Sequence, residues 1–272
     1  MDLTNLEKAL AEEPKYRLKQ AKEAVFQKFI SDWQEATFFS LELRQKLNKE
    51  CQLQIKSEML TSKTKDSIKA RITLKDDLQV ETVLMRHNDG RNTVCVSSQI
   101  GCPLDCGFCA TGQMGFKRNL EYFEIVEQVI LFARYLKEKK QRVTNVVFMG
   151  MGEPFLNYDN VMKAIRILNE ADGLGIGARN ISISTVGITG GIQKLSRENL
   201  QVNLAVSLHA PNNKLRSKII PTNKEYPIEA ILKAVDEYIK KTKRKVMFEY
   251  ILIKGVNDSD ACATELGRLM KK

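Results

Sequence analysis

Apolar residues in the first 50 positions recur at helical spacing, with charged residues between them. This spacing predicts a small bundle of two or three helices. Further on, residues 67–74 and 78–85 alternate apolar and polar side chains around a short polar segment, which predicts a β-hairpin. We therefore expect a small accessory domain over residues 1–90. The recurring apolar positions of the bundle are Leu6, Leu10, Val25, Phe26, Phe29, Ile30, Trp33, Leu41, Leu43 and Leu47.

From residue 93 onward, short β-rich segments alternate with amphipathic helical segments. This alternation predicts a parallel sheet with right-handed crossovers. Five strands are too few to close an eight-stranded barrel. The expected fold class is therefore α/β, with an open partial (β/α) barrel over residues 91–272. The predicted strands are 93–98, 145–149, 181–185, 202–207 and 246–253, and the predicted helices are 121–140, 159–171, 190–199 and 226–243.

Polar motifs follow four of the five predicted strands. Residues 102–109 follow the first strand, 150–154 the second, 184–187 the third and 207–209 the fourth. In parallel α/β sheets, ligands bind beyond the carboxyl ends of the strands. We therefore expect these four motifs to surround one binding site.

Three of the six cysteines lie within eight residues, at Cys102, Cys106 and Cys109. Three thiolates can hold three irons of a cubane cluster and leave the fourth iron open, whereas four cysteines usually close an electron-transfer cluster. The alternative is a structural zinc site with Cys95 or Cys51 as the fourth ligand. Either site indicates metal ligation in a reducing compartment, not a disulfide framework.

The chain has 272 residues and a net charge of +10. No apolar run approaches the roughly 20 residues of a membrane helix, and the N-terminus lacks the pattern of a secretory signal. We therefore expect a cytoplasmic protein without a membrane partner. Residues 201–272 carry 14 basic and 8 acidic side chains. This excess favours a polyanionic partner, although a solvated lysine face would give the same composition.

The cysteine motif, with Phe108 before its last cysteine, resembles that of the radical S-adenosylmethionine (SAM) enzymes. Segments 93–102, 109–119, 150–154 and 202–212 further resemble the RNA adenine carbon-2 methyltransferases, which act on 23S rRNA and tRNA. The resemblance extends from about residue 78 to residue 255. A related branch methylates carbon 8 of the same ribosomal adenine, and the choice between carbon 2 and carbon 8 stays open here.

The resemblance implies two cofactors and the residues that hold them. A 4Fe-4S cluster would be ligated by the three clustered cysteines, and SAM would chelate its open iron. Gly152 and Glu153 would hold the amino end of SAM. The rest of the SAM pocket would be lined by Ser184, Ser207, Leu208 and His209. Without the resemblance, these residues could equally be a turn carboxylate, a histidine satisfied at a strand end, and capping hydroxyls.

The resemblance also assigns catalytic roles to Cys95 and Glu81, as groups that take part in removing the carbon-2 proton. In the family, one SAM methylates a cysteine near the C-terminus, and a second SAM yields a radical that takes hydrogen from that methyl group. Release of the product forms a disulfide bond between the two cysteines. Without the resemblance, Cys95 is typical of a core cysteine in a strand, and Glu81 of an exposed strand charge.

The family's sequences continue past the point where this chain ends. We therefore expect a C-terminally truncated fragment that lacks the last strand and the methyl-carrying cysteine. The alternative, a natural short form that has lost the final step, stays open here. Cys262 does not match that cysteine and is expected to be a buried helical residue. The expected partners are 23S rRNA, tRNA and an electron donor such as flavodoxin or ferredoxin, and the chain is expected to be a monomer. Two competing hypotheses are a different radical SAM enzyme, such as a glycyl-radical activase, and a non-catalytic iron–sulfur or zinc protein that binds RNA.

Overall fold

The computed structural model describes residues 2–271. Over these residues the α-helices are α1 (Leu3–Ala9), α2 (Tyr16–Phe26), α3 (Leu41–Glu50), α4 (Ala110–Gln113), α5 (Tyr122–Lys137), α6 (Tyr158–Asn169), α7 (Thr189–Leu195), α8 (Asn213–Ile219), α9 (Ile228–Thr242) and α10 (Asp260–Met270). The strands are β1 (Ser57–Thr61), β2 (Ser67–Thr73), β3 (Gln79–Arg86), β4 (Asn92–Cys95), β5 (Gln99–Ile100), β6 (Arg118–Asn119), β7 (Asn145–Phe148), β8 (Ile181–Thr185), β9 (Asn203–Ser207) and β10 (Val246–Glu249). The chain divides into two compact units.

The first unit comprises Met1–Ser97, Leu120–Gly150 and Asp159–Ile181. Its strands lie in the order β1-β2-β3-β4-β7. The first four pair antiparallel, and β4 pairs with β7 in parallel. The predicted bundle and hairpin are both confirmed, as α1 to α3 and as β2 with β3. Strand β1 was not predicted, because it is mostly exposed and shows no alternation of buried positions.

Buried side chains at helical and strand spacing hold the first unit together. Trp33 is fully buried, and its indole Nε1 donates a hydrogen bond to the carbonyl of Cys51 at 2.7 Å. Helix α5 buries the apolar stripe that its sequence predicted. Each such aliphatic side chain contributes about 1.5–3 kcal/mol when fully buried. On the same helix, the buried side-chain amide of Gln128 accepts from the Ser97 amide at 2.8 Å and donates to the Ser97 carbonyl at 3.0 Å. These two bonds fix the backbone just after β4.

The second unit comprises Ser98–Asn119, Met151–Tyr158 and Ser182–Lys272. Strands β8, β9 and β10 pair in parallel, and a short antiparallel pair joins β5 to β6. Strand β10 ends at Glu249, four residues earlier than predicted. The reason is Asn257, whose side chain accepts from the amide of Ile253 and donates to the carbonyl of Ile251, both at 2.7 Å. These bonds bend the segment away from the strand direction.

The expected α/β fold class is confirmed, since parallel strands alternate with helices in the order that the sequence predicted. Two short helices, α4 and α8, were not predicted. The boundary at residue 90 between an accessory domain and a core stays a prediction. None of the helices within residues 2–271 is both long and apolar enough to cross a bilayer.

Candidate active site

The three clustered cysteines lie on one loop of the second unit, between β5 and α4. The loop is tightly wound, because the amide of Cys109 donates to the carbonyl of Cys106 at 2.9 Å. Gly112 packs against this turn, and a Cβ there would lie 3.1 Å from the nitrogen of Cys106. The amide of Gly107 donates to the carbonyl of Ile219 at 2.9 Å, which fastens the loop to the end of α8.

Burial raises the pKa of the Cys106 thiol to about 12, and the negative charges of Cys102 and Cys109 add to this effect. Burial likewise raises the pKa of Cys102. Thiols that shift one another in this way would be stabilised as thiolates by a bound metal. Within residues 2–271, however, no set of three His, Cys, Asp or Glu side chains is arranged to hold a metal ion. The structure thus places the three thiols on one loop, and their role as ligands stays a prediction.

Glu153 is buried in the second unit, directly after a glycine turn. Its Oε1 accepts from the amide of Phe155 at 3.0 Å, and its Oε2 accepts from the amide of Val186 at 2.8 Å. Burial raises its pKa to about 7, although these hydrogen bonds act in the opposite direction. Gly152 adopts a φ of 95°, and a Cβ there would lie 2.5 Å from the side chain of Gln99. A side chain at residue 152 is therefore excluded by both conformation and space.

The cysteine loop and the glycine turn meet at Cys102. Backbone hydrogen bonds from Leu104 and Glu153 reach the Cys102 thiol, and they partly offset the rise in its pKa that burial causes. The amide of Glu153 also donates to Oε1 of Gln99 at 2.9 Å. The tertiary structure therefore brings together two of the motifs that the sequence placed after different strands.

Two serines on neighbouring strands converge on a carboxylate that sequence reasoning missed. The hydroxyl of Ser184 on β8 donates to Oε2 of Glu249 at 2.8 Å, and the hydroxyl of Ser207 on β9 donates to the same oxygen at 3.2 Å. Glu249 ends β10 and lies opposite Ser207 in the parallel register. The edge rule would have indicated Glu249 only if the fifth strand had been predicted to end there, and the predicted strand continued to residue 253.

His209 follows β9 in a left-handed conformation, with a φ of 57°. Its Nδ1 accepts from the amide of Ile251 at 3.1 Å, so the proton of the neutral ring lies on Nε2. Burial lowers the pKa of His209 to about 4, and the charge of Arg216 acts in the same direction. The ring packs edge-on against Phe108 at a centroid distance of 5.0 Å. The histidine is thereby in contact with the cysteine loop.

Two further buried residues support the end of β9: Leu208, which follows the strand directly, and Arg216 on α8. The side chain of Leu208 is fully buried, and its carbonyl accepts from Nε of Arg216 at 3.0 Å. Arg216 is itself fully buried and donates to the carbonyls of Val186, Ser207 and Tyr226 as well. No sequence signal indicated Arg216, because a lone arginine in a short helix is usually a surface residue. The predicted SAM contact of Leu208 stays a prediction.

Cys95 and Glu81 lie in the first unit and project from the same face of its sheet. Cys95 on β4 is opposite Val83 on β3, and Glu81 is two residues from Val83. Burial raises the pKa of the Cys95 thiol to about 11. Glu81 is half-exposed and forms a 3.1 Å ion pair with Lys69. This pairing is typical of an exposed strand charge, and the catalytic role of either residue stays a prediction.

Comparison with known proteins places the chain in a family. The radical SAM superfamily matches residues 96–265. A protein from Dictyoglomus turgidum named probable dual-specificity RNA methyltransferase RlmN is 48% identical over 259 residues, which cover 95% of this chain and 74% of that protein. A protein from Nitrosopumilus maritimus named ribosomal RNA large subunit methyltransferase N is 53% identical over 212 residues, or 76% of this chain and 60% of that protein.

A solved structure agrees with these relatives. The crystal structure of a radical SAM methyltransferase from Sphaerobacter thermophilus matches with a TM-score of 0.94 and 43% identity, over 100% of this chain and 80% of that one. The chain belongs to the RlmN family of radical SAM proteins. The resemblance seen in the sequence motifs and the radical SAM type of fold are thereby confirmed.

Two expectations about cysteines need correction for this RlmN family member. All six cysteines, which lie within the described residues, are free, so the expected disulfide bond is not supported. Cys262 does lie on a helix, α10, but it is only partly buried, because α10 buries none of its residues. The prediction was therefore right that Cys262 lies on a helix and wrong that it is buried.

Proposed function

We propose that this chain supplies the cluster- and SAM-binding part of the chemistry by which its family methylates carbon 2 of adenine in 23S rRNA and tRNA. The observation that carries the proposal is the 48% identity over 95% of the chain to a relative named a dual-specificity RNA methyltransferase. The basic excess of the second unit, which holds 18 basic and 11 acidic side chains, is in keeping with an RNA substrate.

We propose that Cys102, Cys106 and Cys109 ligate a 4Fe-4S cluster and leave one iron open for SAM. The donor set fits this group, since three partly buried thiols belong to one loop, and the charges of Cys102 and Cys109 help to raise the pKa of Cys106. When bound, the cluster supplies the electron that cleaves SAM and so makes a carbon radical available. The buried cation Arg216 interacts favourably with the Cys106 thiolate and would stabilise negative charge at this end of the loop.

The SAM pocket is proposed to lie between the glycine turn and the ends of β8 and β9. Gly152 lets the turn pack closely against Gln99, and Glu153 places a buried carboxyl group beside Cys102. Ser184 and Ser207 are held in place by Glu249, and such a hydroxyl–carboxylate cluster suits the ribose or the amino group of SAM. His209 offers its Nε2–H as a donor. Leu208 would hold Ser207 and His209 in place at the pocket, because its side chain is buried and its amide and carbonyl bond to Glu249 and Arg216.

Cys95 and Glu81 are proposed to take part in removing the proton from carbon 2 of the adenine. With its pKa raised to about 11, Cys95 is a thiol at neutral pH. A base must therefore remove its proton before it can accept another. Glu81 is the candidate for this base on the same face of the sheet, and it would first have to leave its ion pair with Lys69.

We further propose an accessory region over residues 1–90 and a catalytic core over residues 91–272. The accessory region would dock RNA. The electron donor would be a flavodoxin or a ferredoxin, and the chain would act as a monomer in the cytoplasm, where its RNA substrates are.

Deletion of the gene followed by mass spectrometry of nucleosides from 23S rRNA and tRNA tests the proposed reaction. We expect 2-methyladenosine to disappear from both RNAs. Loss of 8-methyladenosine with 2-methyladenosine retained would instead assign the chain to the carbon-8 branch, and unchanged nucleosides would contradict a methyltransferase.

Anaerobic reconstitution of the chain tests the cofactor site. We expect about four irons per chain, and we expect Cys106→Ala to abolish this binding while Cys262→Ala retains it. Stoichiometric zinc without iron would contradict the cluster and favour a zinc-binding RNA protein.

A further inference from the structure

Residues 113–118 form a turn, here called the Phe116 turn, that connects α4 to β6 directly after the cysteine loop. It exposes two large apolar side chains, because Met114 is 59% and Phe116 is 44% accessible to solvent. Among the described residues of the segment Ser98–Asn119, these two are the large hydrophobic side chains that are exposed. Exposed apolar side chains grouped in this way often mark an interaction surface.

The Phe116 turn is held rigidly beside the cysteines. A Cβ at Gly101 would lie 1.7 Å from the carbonyl oxygen of Gly115, so the two glycines pack backbone against backbone. The amide of Lys117 donates to the carbonyl of Ile100 at 2.9 Å. Both contacts involve residues that directly precede Cys102. The exposure of the turn is therefore a fixed feature of the cysteine loop.

The short antiparallel pair of β5 and β6 connects the Phe116 turn to the candidate SAM site. Gln99 on β5 lies opposite Asn119 on β6, and its Nε2 donates to Oδ1 of Asn119 at 2.8 Å. The other atom of this amide, Oε1, accepts from the backbone of Glu153 at 2.9 Å. One glutamine side chain thus bridges Asn119, which follows the Phe116 turn, and the backbone amide of Glu153. A partner that contacts the turn would lie beside the site.

The composition of the turn matches the chemistry of a nucleic acid. Phe116 is followed by the cations Lys117 and Arg118, and the second unit carries a net charge of +7. Aromatic rings stack on bases of any sequence, while neighbouring cations contact phosphates. An enzyme that modifies a base ring must also take that base out of its stack, at a cost of a few kcal/mol. An exposed ring beside the site can replace the lost stacking.

We propose that the Phe116 turn is an RNA contact, in which Phe116 stacks on a base next to the target adenine and Lys117 binds a phosphate. This inference rests on the proposed function and adds the surface that would receive the RNA. Met114 would extend the apolar surface beside the ring.

The test compares RNA affinities of the anaerobically reconstituted chain by fluorescence anisotropy. The probe is a labelled tRNA anticodon stem-loop, measured at several salt concentrations. The variants are Phe116→Ala, Phe116→Tyr and Lys117→Ala. Their matched controls are Ile239→Ala and Lys241→Ala, since Ile239 on α9 is 39% accessible and is likewise followed by two lysines. Iron content and circular dichroism show that each variant is folded.

We expect Phe116→Ala to weaken binding about 5- to 150-fold, which corresponds to the ~1–3 kcal/mol of stacking on one base. Its dependence on salt should match that of the wild type, and Phe116→Tyr should retain affinity to within about twofold, since its ring also stacks. Lys117→Ala should lower the slope of log affinity against log salt concentration by about one, which is the contribution of one phosphate contact. The two control variants should bind as the wild type does.

Unchanged affinity in Phe116→Ala, or an equal loss in Ile239→Ala, would overturn the inference while leaving the proposed function intact. Normal RNA binding combined with slower reduction of the cluster by flavodoxin, but not by dithionite, would also overturn it and assign the turn to the electron donor. Failure of the wild-type chain to bind the stem-loop would contradict the proposed function itself.

Discussion

Glu153 and Arg216 hold opposite sides of one residue, Val186, although they are 63 positions apart in the chain. Oε2 of Glu153 accepts from the Val186 amide at 2.8 Å, and Nη2 of Arg216 donates to the Val186 carbonyl at 2.5 Å. Both side chains are buried, at 4% and 0% exposure. Two buried, opposite charges thus fix the backbone at the end of β8, where the candidate SAM site begins.

Removal of Arg216 should be strongly destabilising. In Arg216→Met the carbonyls of Val186, Ser207 and Leu208 lose their donor, and each buried unsatisfied group costs about 1–3 kcal/mol. We expect the free energy of unfolding, measured with urea, to fall by about 3 kcal/mol or more. Arg216→Lys should recover part of this loss, because it keeps the charge and some of the donors. The exposed Arg197→Met is the control and should change stability by less than about 0.5 kcal/mol.

Glu153 should make the apoprotein less stable as pH rises. Its pKa is about 7 in the folded chain and about 4.5 in the unfolded chain, so the folded state binds the extra proton between these values. The stabilisation is complete below pH 4.5 and is lost as pH rises through 7, with a total of about 3 kcal/mol. In urea unfolding between pH 4.5 and 8, the stability of Glu153→Gln relative to the wild type should rise with pH, by up to about 3 kcal/mol. An identical pH profile in the variant would contradict the assignment.

His209 should have the opposite effect over an overlapping range. Its pKa is lowered to about 4 by burial, whereas an unfolded histidine titrates near 6.5. The unfolded chain therefore binds more protons between these values, and stability is lost as pH falls from 6.5 through 4. We expect the free energy of unfolding of His209→Asn to lack this loss at low pH, which amounts to about 2–3 kcal/mol. Since the two effects oppose each other, the wild type should vary less with pH than either the Glu153→Gln or the His209→Asn variant.

Gly152 should tolerate no side chain. Gly152→Ala combines a φ of 95° with a contact of 2.5 Å to Gln99, whose amide positions Glu153. Gly90 has a similar φ of 85° but nothing within 4 Å of the added Cβ, so Gly90→Ala isolates the conformational cost of about 1–2 kcal/mol. Thermal unfolding should show a clearly larger loss for Gly152→Ala, together with weaker SAM binding by calorimetry. Equal losses in the two variants would indicate that the contact with Gln99 relaxes freely.

The local pattern of the sequence was sufficient for most elements and for the order of the motifs. Helices α5, α6 and α9 bury apolar stripes that recur at helical spacing, and β8 has the predicted bounds, Ile181–Thr185. The cysteine motif and the edge rule located the candidate site, because both depend on residues that are close in sequence. Strand β1 escaped prediction because its pairing partner, and not its own pattern, makes it a strand.

The sequence by itself determined the fold class, the family and the motifs of the candidate site. Only the tertiary structure decided which distant polar residues meet. Glu249 became part of the site through the register of β10 on β9, and Arg216 became a buried cation because carbonyls from several segments surround it. Glu81 lies opposite Arg71 in the antiparallel register of β2 and β3, and its ion pair is with Lys69, the diagonal neighbour on β2. Such contacts depend on how strands and loops align in space, and the periodicity of a single segment carries no information about that alignment.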